Sequence, residues 1–330
     1  MLVMDCTLRD GANVIGKGFD AKLTKSMIEG MINCGITTIE MGNCLGLGAY
    51  EANNSIAPCN DVEYLELIQP YLDKAEIGMF MGYKNATQEN IDLAAKYGLK
   101  FLRIGANAGD GADACEGVKR VKAAGMKCRY SMMKGYILSP EELAKEAKML
   151  ADCGLDEITI MDSAGTMMPH QVTEYTKALV EAIDIPVAFH GHNNLGLSVA
   201  NAIAAAEGGA TVFDCGLLGM ARSAGNCATE LLVATFQRLG WMQDIDLYKL
   251  LNYLDEELIP AMEAQGYHTA VKPYDLILGL AGCHSSFTKR FQDIAAEYGV
   301  PLYNLVVEAS KLDQKAPSEE LIRQVAATLK

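Results

Sequence analysis

Three short stretches hold the side chains with the chemistry of a site. Thr7-Leu8-Arg9-Asp10-Gly11 sets a guanidinium beside a carboxylate, and His190-Gly191-His192-Asn193-Asn194 sets two imidazoles two residues apart. Gly219-Met220-Ala221-Arg222-Ser223-Ala224-Gly225-Asn226 adds a cation between two glycines and a carboxamide just after the second. Residues i and i+2 of a strand point the same way, so His190 and His192 can face one point. A carboxylate from Asp10 completes a set of two histidines and one carboxylate with open coordination positions. Such a set suits a divalent metal acting as Lewis acid, whether manganese, magnesium, zinc or iron. Two polar residues at a strand end would look the same without a metal, so much depends on Asp10 standing at the same rim.

The elements that must hold these stretches follow a strand-helix rhythm. Apolar runs at Leu2–Cys6, Thr37–Met41, Ala75–Met81, Phe101–Ile104, Cys128–Met132, Glu157–Met161, Val187–His190 and Val212–Cys215 alternate with amphipathic stretches such as Ala21–Asn33 and Pro140–Asp152. Eight strands, each followed by a helix at about 30 residues per unit, is the arithmetic of a (β/α)8 TIM barrel, whose chemistry sits at the carboxyl ends of its strands. A doubly wound open sheet has the same rhythm, but no GxGxxG follows the first strand and no Walker A sequence is present. Residues 1–240 therefore read as the barrel. Residues 241–330, where strand signals fade, read as a C-terminal helical domain with helices at Asp246–Met262, His284–Tyr298 and Ser318–Leu329 and a Pro-containing link near Pro273.

Composition bounds the partners. The chain has 330 residues, half of them apolar and 21% charged, with 28 Lys and Arg against 42 Asp and Glu for a net charge of −14. That balance argues against a nucleic-acid or anionic-membrane surface, and no run reaches the roughly 20 apolar residues of a membrane span. The charged amino terminus does not read as a secretory signal. Ten cysteines are scattered without a CxxC pair, and they read as reduced and mostly buried in a cytoplasmic protein. His170 and His268 read as surface or loop residues. Met132-Met133 and Met167-Met168 read as packing near strand ends.

The stretches DCTLRDG, HGHNNLGLSVANAIAA and GMARSAGN, in that order, resemble the metal-dependent aldolase, lyase and synthase barrels, the group of 3-hydroxy-3-methylglutaryl-CoA lyase and isopropylmalate synthase. RLGWMQDIDLYKLL and LILGLAGCHSSFTKRFQDIAAEYG resemble the carboxyl-terminal region of the 4-hydroxy-2-oxovalerate aldolases, so the resemblance spans nearly the whole chain. It implies cleavage of a 4-hydroxy-2-oxo acid to pyruvate and an aldehyde through an enolate that a metal and a guanidinium stabilise. It also implies Asp10, His190 and His192 as metal ligands for manganese, with magnesium or cobalt as alternatives. His190 would also meet the substrate. Arg9 would stabilise the enolate oxygen and Ser163, in Met161-Asp162-Ser163-Ala164-Gly165, would meet the substrate carboxylate. Asn226 would either ligate the metal or brace its loop, and Glu40 would stand behind the site or form a rim ion pair.

The chain departs from that pattern twice. The base histidine that the family places two residues beyond the LRDG glycine is Asn13 here, and a carboxamide can orient a hydroxyl but not take its proton. A tyrosine of the family's tail is His284, which either supplies the acid-base function or only starts a helix; Tyr136 and Lys134 are further candidates, as is a metal-bound hydroxide. Two other functions stay open: an acyl-CoA-dependent Claisen condensation, towards which Arg222 leans, and a metal-binding, non-catalytic partner subunit. The resemblance further implies a homodimer, or a complex with an acylating aldehyde dehydrogenase through the C-terminal domain.

Overall fold

The computed structural model describes residues 1–267 and 273–330; His268 and the approach to Pro273 lie outside the described residues. Eight parallel strands close into a barrel in sequence order: β1 Leu2–Asp5, β2 Thr38–Met41, β3 Glu76–Gly82, β4 Phe101–Asn107, β5 Lys127–Met133, β6 Glu157–Asp162, β7 Val187–Gly191 and β8 Val212–Cys215. Closure is made by β1 on β8, with Leu2 to Asp5 in register with Val212 to Cys215. The open-sheet alternative is therefore excluded.

The barrel helices are α1 Ala21–Cys34, α2 Asp61–Leu67, α3 Gln88–Lys96, α4 Cys115–Ala123, α5 Pro140–Asp152, α6 Pro169–Ala182, α7 Ser198–Gly208 and α8 Thr229–Arg238. Their ends follow local chemistry. Asp20 caps α1 by accepting the Leu23 N–H at 2.8 Å, and Gly35 stops it in the left-handed region at φ 95°. Ser139 and Glu142 form a capping box on α5, with Pro140 in its first turn. Because these helices cover the sheet, the strands are buried on both faces, as β6 shows: every residue of Glu157–Asp162 is buried although Glu157, Thr159 and Asp162 are polar.

Beyond the strands, α9 Leu247–Tyr253 continues through a π turn at Leu254–Leu258 into Ile259–Glu263. Its Leu250, Tyr253, Leu254, Leu258 and Met262 join the barrel's own apolar core. A second core begins at Leu278 and gathers α10 Pro273–Ala281, α11 Thr288–Tyr298, α12 Leu302–Ser310 and α13 Glu319–Thr328. Loss of strand signal after residue 240 thus marks where the strands stop, while the packing has its seam further on. The helices at 273–281 and 302–310 were not among those expected, although Leu302, Leu305, Val306 and Ala309 form an apolar stripe on the second. His284 precedes a 3-10 turn, Ser285–Phe287, rather than opening a long helix.

Eight cysteines are free and buried: Cys128 and Cys215 lie in strands and Cys34 ends α1, while Cys6, Cys44, Cys59, Cys227 and Cys283 lie in turns or loops folded into the interior. Cys115, which opens α4, and Cys153, which follows α5, depart from the all-reduced expectation: they form a disulfide with Cα atoms 5.8 Å apart, brought together by the packing of neighbouring barrel helices. Among the described residues no helix is long and apolar enough to cross a membrane. His170 is exposed, Met132 and Met167 are buried, and Met168 is exposed.

Candidate active site

All three stretches reach the carboxyl-terminal rim. The turn after β1 carries Arg9 and Asp10. His190 is in β7, and His192 extends it through a bridge to Asn226 in the loop after β8. Their rings stand edge to face with centroids 5.2 Å apart. His190 Nε2 lies 3.7 Å and His192 Nε2 3.8 Å from Asp10 Oδ2. One atom from each of Asp10, His190 and His192 falls within 4.8 Å of the others. Bonds of roughly 2 Å to a central cation would span such separations, and His190 Nε2 is buried with no hydrogen-bond partner. The residues present fit a divalent metal.

Cys6, His190 and Asp214 also bring ligand atoms close together, but those atoms are already engaged. Asp214 Oδ2 binds Arg103 and faces His190 Nδ1 at 3.1 Å, and the Cys6 sulfur takes an N–H from Arg103. Burial, with Asp214 and Glu40 nearby, pushes the Cys6 thiol well above its usual range, so it stays protonated.

Behind the site runs a buried chain of charges. Arg9 Nε donates to Glu40 Oε1 at 2.5 Å, Arg103 Nε donates to Glu40 Oε2 at 2.5 Å, and Arg103 Nη1 binds Asp214. Glu40, Arg103 and Asp214 come from β2, β4 and β8, so these contacts cross the barrel interior. Burial would raise the pKa of Asp214, but the Arg103 guanidinium and His190 outweigh it and hold the group at about 2. Glu40 is likewise lowered, with Arg103 and Arg9 outweighing its burial. At Asp10, Arg9, His192 and Arg222 together overcome the burial penalty and keep the carboxyl well below the usual range. Burial pushes His192 down to about 3 against the pull of Asp10, leaving the neutral ring a ligand requires.

Arg103 and Asp214 were not anticipated from sequence; each is a lone charge inside an apolar strand run, which was the available signal. Arg9 is clamped by Glu40 through Nε and by Asp10 through Nη1 at 3.1 Å, and its guanidinium lies 4.9 Å over the Phe80 ring. Its Nη2 is buried without a partner. Glu40 therefore stands inside the barrel, not at an exposed rim.

Asn13 Nδ2 donates to the Asp10 carbonyl at 2.9 Å and to Asp10 Oδ1 at 3.3 Å. Asn226 Nδ2 donates to Asp10 Oδ2 at 3.0 Å, and its Oδ1 is buried without a partner. Both carboxamides thus orient Asp10. Ser163 Oγ accepts the Lys134 N–H at 3.0 Å. Lys134 holds a left-handed backbone at φ 59°, which costs a non-glycine residue on the order of 1–3 kcal/mol. Its Nζ donates to the Lys315 carbonyl at 2.5 Å, tying the β5 end to the tail. Tyr136 donates to the Gly282 carbonyl at 3.2 Å and is occupied in the same seam.

His284 comes to this face from the tail. Burial, and then the charges of Arg222 and Lys134, drive its pKa well below the usual value. The Ser286 N–H donates to its Nδ1 at 3.2 Å, and Ser286 Oγ lies 2.7 Å from the same nitrogen. The neutral ring therefore carries its proton on Nε2.

Comparison with known proteins agrees with this architecture. The HMGL-like family model matches residues 1–256, and the DmpG-like communication domain matches residues 269–330. The 4-hydroxy-2-oxovalerate aldolase of Carboxydothermus hydrogenoformans is 32% identical over 99% of this chain and 96% of its own length. 4-hydroxy-2-oxovalerate aldolase 2 of Nocardia farcinica is 33% identical over 99% of this chain and 94% of its own. The N-terminal domain of a putative aldolase from Bacteroides vulgatus shares the fold, with a TM-score of 0.71 at 24% identity, covering 85% of this chain and 92% of that one. The chain belongs to the HMGL-like family and ends in a DmpG-like communication domain.

Proposed function

We propose that this protein is a divalent-metal-dependent aldolase that cleaves a 4-hydroxy-2-oxo acid to pyruvate and an aldehyde, or runs the reaction in reverse. The observation that carries this reading is the convergence of Asp10, His190 and His192 beside the free Nη2 of Arg9. The aldolase activity by which the relatives matched over nearly their full length are named supports it. A cation held by Asp10, His190 and His192, manganese first with magnesium or cobalt as alternatives, would supply Lewis acidity to the substrate's 2-oxo and carboxylate oxygens.

The chain's own groups do the rest. Breaking the C3–C4 bond leaves negative charge on the pyruvate half, and Arg9 offers Nη2 to that oxygen. Its other nitrogens are already fixed by Glu40 and Asp10, so little reorganisation is needed as charge develops. Ser163 accepts from the Lys134 N–H, which leaves its own O–H to donate to the substrate carboxylate. As the C3–C4 bond breaks, the 4-hydroxyl proton passes to a water in the adjoining groove, and C3 of the enolate takes a proton back from water to give pyruvate. Asn13 orients the hydroxyl without taking its proton. With its proton on Nε2, His284 acts as a hydrogen-bond donor to the aldehyde oxygen rather than as a general base. Burial of Arg9, Asp10, His190 and His192 keeps bulk water from the reacting atoms.

The communication domain supports docking of an acylating aldehyde dehydrogenase on the tail, and the protein would work in the cytoplasm. Pyruvate release from racemic 4-hydroxy-2-oxo acids, coupled to lactate dehydrogenase, tests the activity. Metal-dependent release supports it. Thiol release from acetyl-CoA with a 2-oxo acid, without pyruvate release, would replace it with a Claisen condensation.

A further inference from the structure

The inference rests on the aldolase reading and concerns the half of the substrate that leaves as aldehyde. We propose that the groove beside the loop after β8 binds that half, and that it carries an anionic group held by Arg222.

The groove has a volume of about 710 Å³ and is lined by Asn13, Asn193, Arg222, Ser223, Asn226 and Tyr267, among others. Its inner wall touches the metal-binding set directly, because Asn13 and Asn226 both donate to the Asp10 carboxylate. A substrate with its 2-oxo acid end at Asp10, His190 and His192 would therefore run its far end into this groove. The space is far more than a two-carbon aldehyde fills, and its lining mixes amide and hydroxyl groups with Val14, Val199, Leu218 and Leu231.

Arg222 specifies the charge. It is half-buried and the only cation among the described lining residues; its carbonyl accepts the Gly225 N–H at 3.2 Å, while its guanidinium makes no direct hydrogen bond or ion pair with the described residues. Glu230, the only acid among them, is occupied by the Leu218 N–H at 3.1 Å. A partly desolvated guanidinium that feels the Asp10 carboxylate only at a distance keeps its N–H donors for an incoming anion, which they can hold in pairs.

The loop that presents Arg222 is built rather than loose. Ser223 sits in the left-handed region at φ 61°, its Oγ accepting from Asn194 at 2.7 Å and donating to Asp275 at 3.2 Å. Tail helix α10, which carries Asp275, thus fixes the residue next to Arg222. The chain's net charge of −14 makes such a local cation necessary for a substrate charged at both ends.

The test is aldol addition of pyruvate to a panel of aldehydes with the metal-loaded protein. Glyceraldehyde 3-phosphate is set against glyceraldehyde, and succinic semialdehyde against butanal. The proposal expects kcat/KM at least about ten-fold higher for one or both charged members than for the neutral partner, the size of a charge-assisted contact. That ratio should collapse in Arg222→Gln and partly return in Arg222→Lys. The two pairs distinguish a phosphate from a carboxylate. A ratio near one, or a ratio that survives in Arg222→Gln, overturns the proposal. Deuterium exchange into pyruvate alone, measured on the same preparation, separates the two failures: exchange without charge preference removes only this inference, whereas no exchange removes the aldolase reading and this inference with it.

Discussion

His190 Nδ1 lies 3.1 Å from Asp214 Oδ2, and this contact determines which nitrogen of His190 faces Asp10. Asp214 stays ionised because Arg103 and His190 outweigh its burial, so it holds a proton on Nδ1 and leaves the Nε2 lone pair for a cation. Removing that charge should loosen the metal. Asp214→Asn is expected to weaken Mn2+ binding by about 10- to 100-fold in calorimetric titration of the folded protein. Unchanged affinity would show that His190 needs no such partner.

His284 should act through donation, not proton transfer. His284→Gln, which keeps an N–H, should retain cleavage within about ten-fold, while His284→Phe should lose about 100-fold. Burial and the neighbouring Arg222 and Lys134 keep the ring neutral from neutral pH down through its ordinary titration range. The pH profile of kcat/KM should therefore show no acid limb near 6.5 that His284→Gln removes. Such a limb would assign His284 the role of base.

Restoring an imidazole at position 13 should help. Asn13→His places a base where the carboxamide now stands beside Asp10. It is expected to raise kcat on short 4-hydroxy-2-oxo acids by about ten-fold or more, the lower part of the usual general-base contribution. An unchanged or lower kcat would mean that another group already handles the 4-hydroxyl proton.

Asp5 ties stability to pH. It is fully buried and accepts from the Thr7 N–H at 2.8 Å and the Thr229 hydroxyl at 2.7 Å, with no ion pair among the described residues. Burial, the largest influence, pushes it from 3.8 to about 6. Between those values the native protein keeps a proton that the unfolded chain has released. Its contribution is whole below about pH 4 and is lost as pH rises through 6. Asp5→Asn lacks this titration, so wild-type stability relative to the variant should fall by up to about 3 kcal/mol between pH 4 and 6.5 in urea unfolding. A pH-independent difference would contradict the shift.

Much of this arrangement was legible in the sequence because local rules carry it. The alternation of apolar runs with capped helices gave the barrel, and DCTLRDG and HGHNN sit where strand ends must lie. What stayed hidden depends on pairing across distance. Arg103 meets Glu40 and Asp214 over separations of 63 and 111 residues, and nothing local in FLRIG or VFDC says which charges will meet inside a barrel. The Cys115–Cys153 disulfide likewise depends on how two helices face each other. Left-handed Lys134, Leu218 and Ser223 lack the glycine that usually announces such a turn. Tail helix α12 could be read locally, since Leu302, Leu305, Val306 and Ala309 repeat at helical spacing, whereas α10, PYDLILGLA, is apolar nearly all round and offers no contrasting face.

The most direct measurement is exchange of deuterium from solvent into the methyl group of pyruvate, followed by NMR. With Mn2+ or Mg2+ the wild-type protein should exchange these protons, and chelation with EDTA should stop it. Arg9→Ala should slow exchange by about 100- to 1,000-fold. No exchange with any divalent metal, or an unchanged rate in Arg9→Ala, would contradict an enolate held between Arg9 and the Asp10, His190 and His192 set.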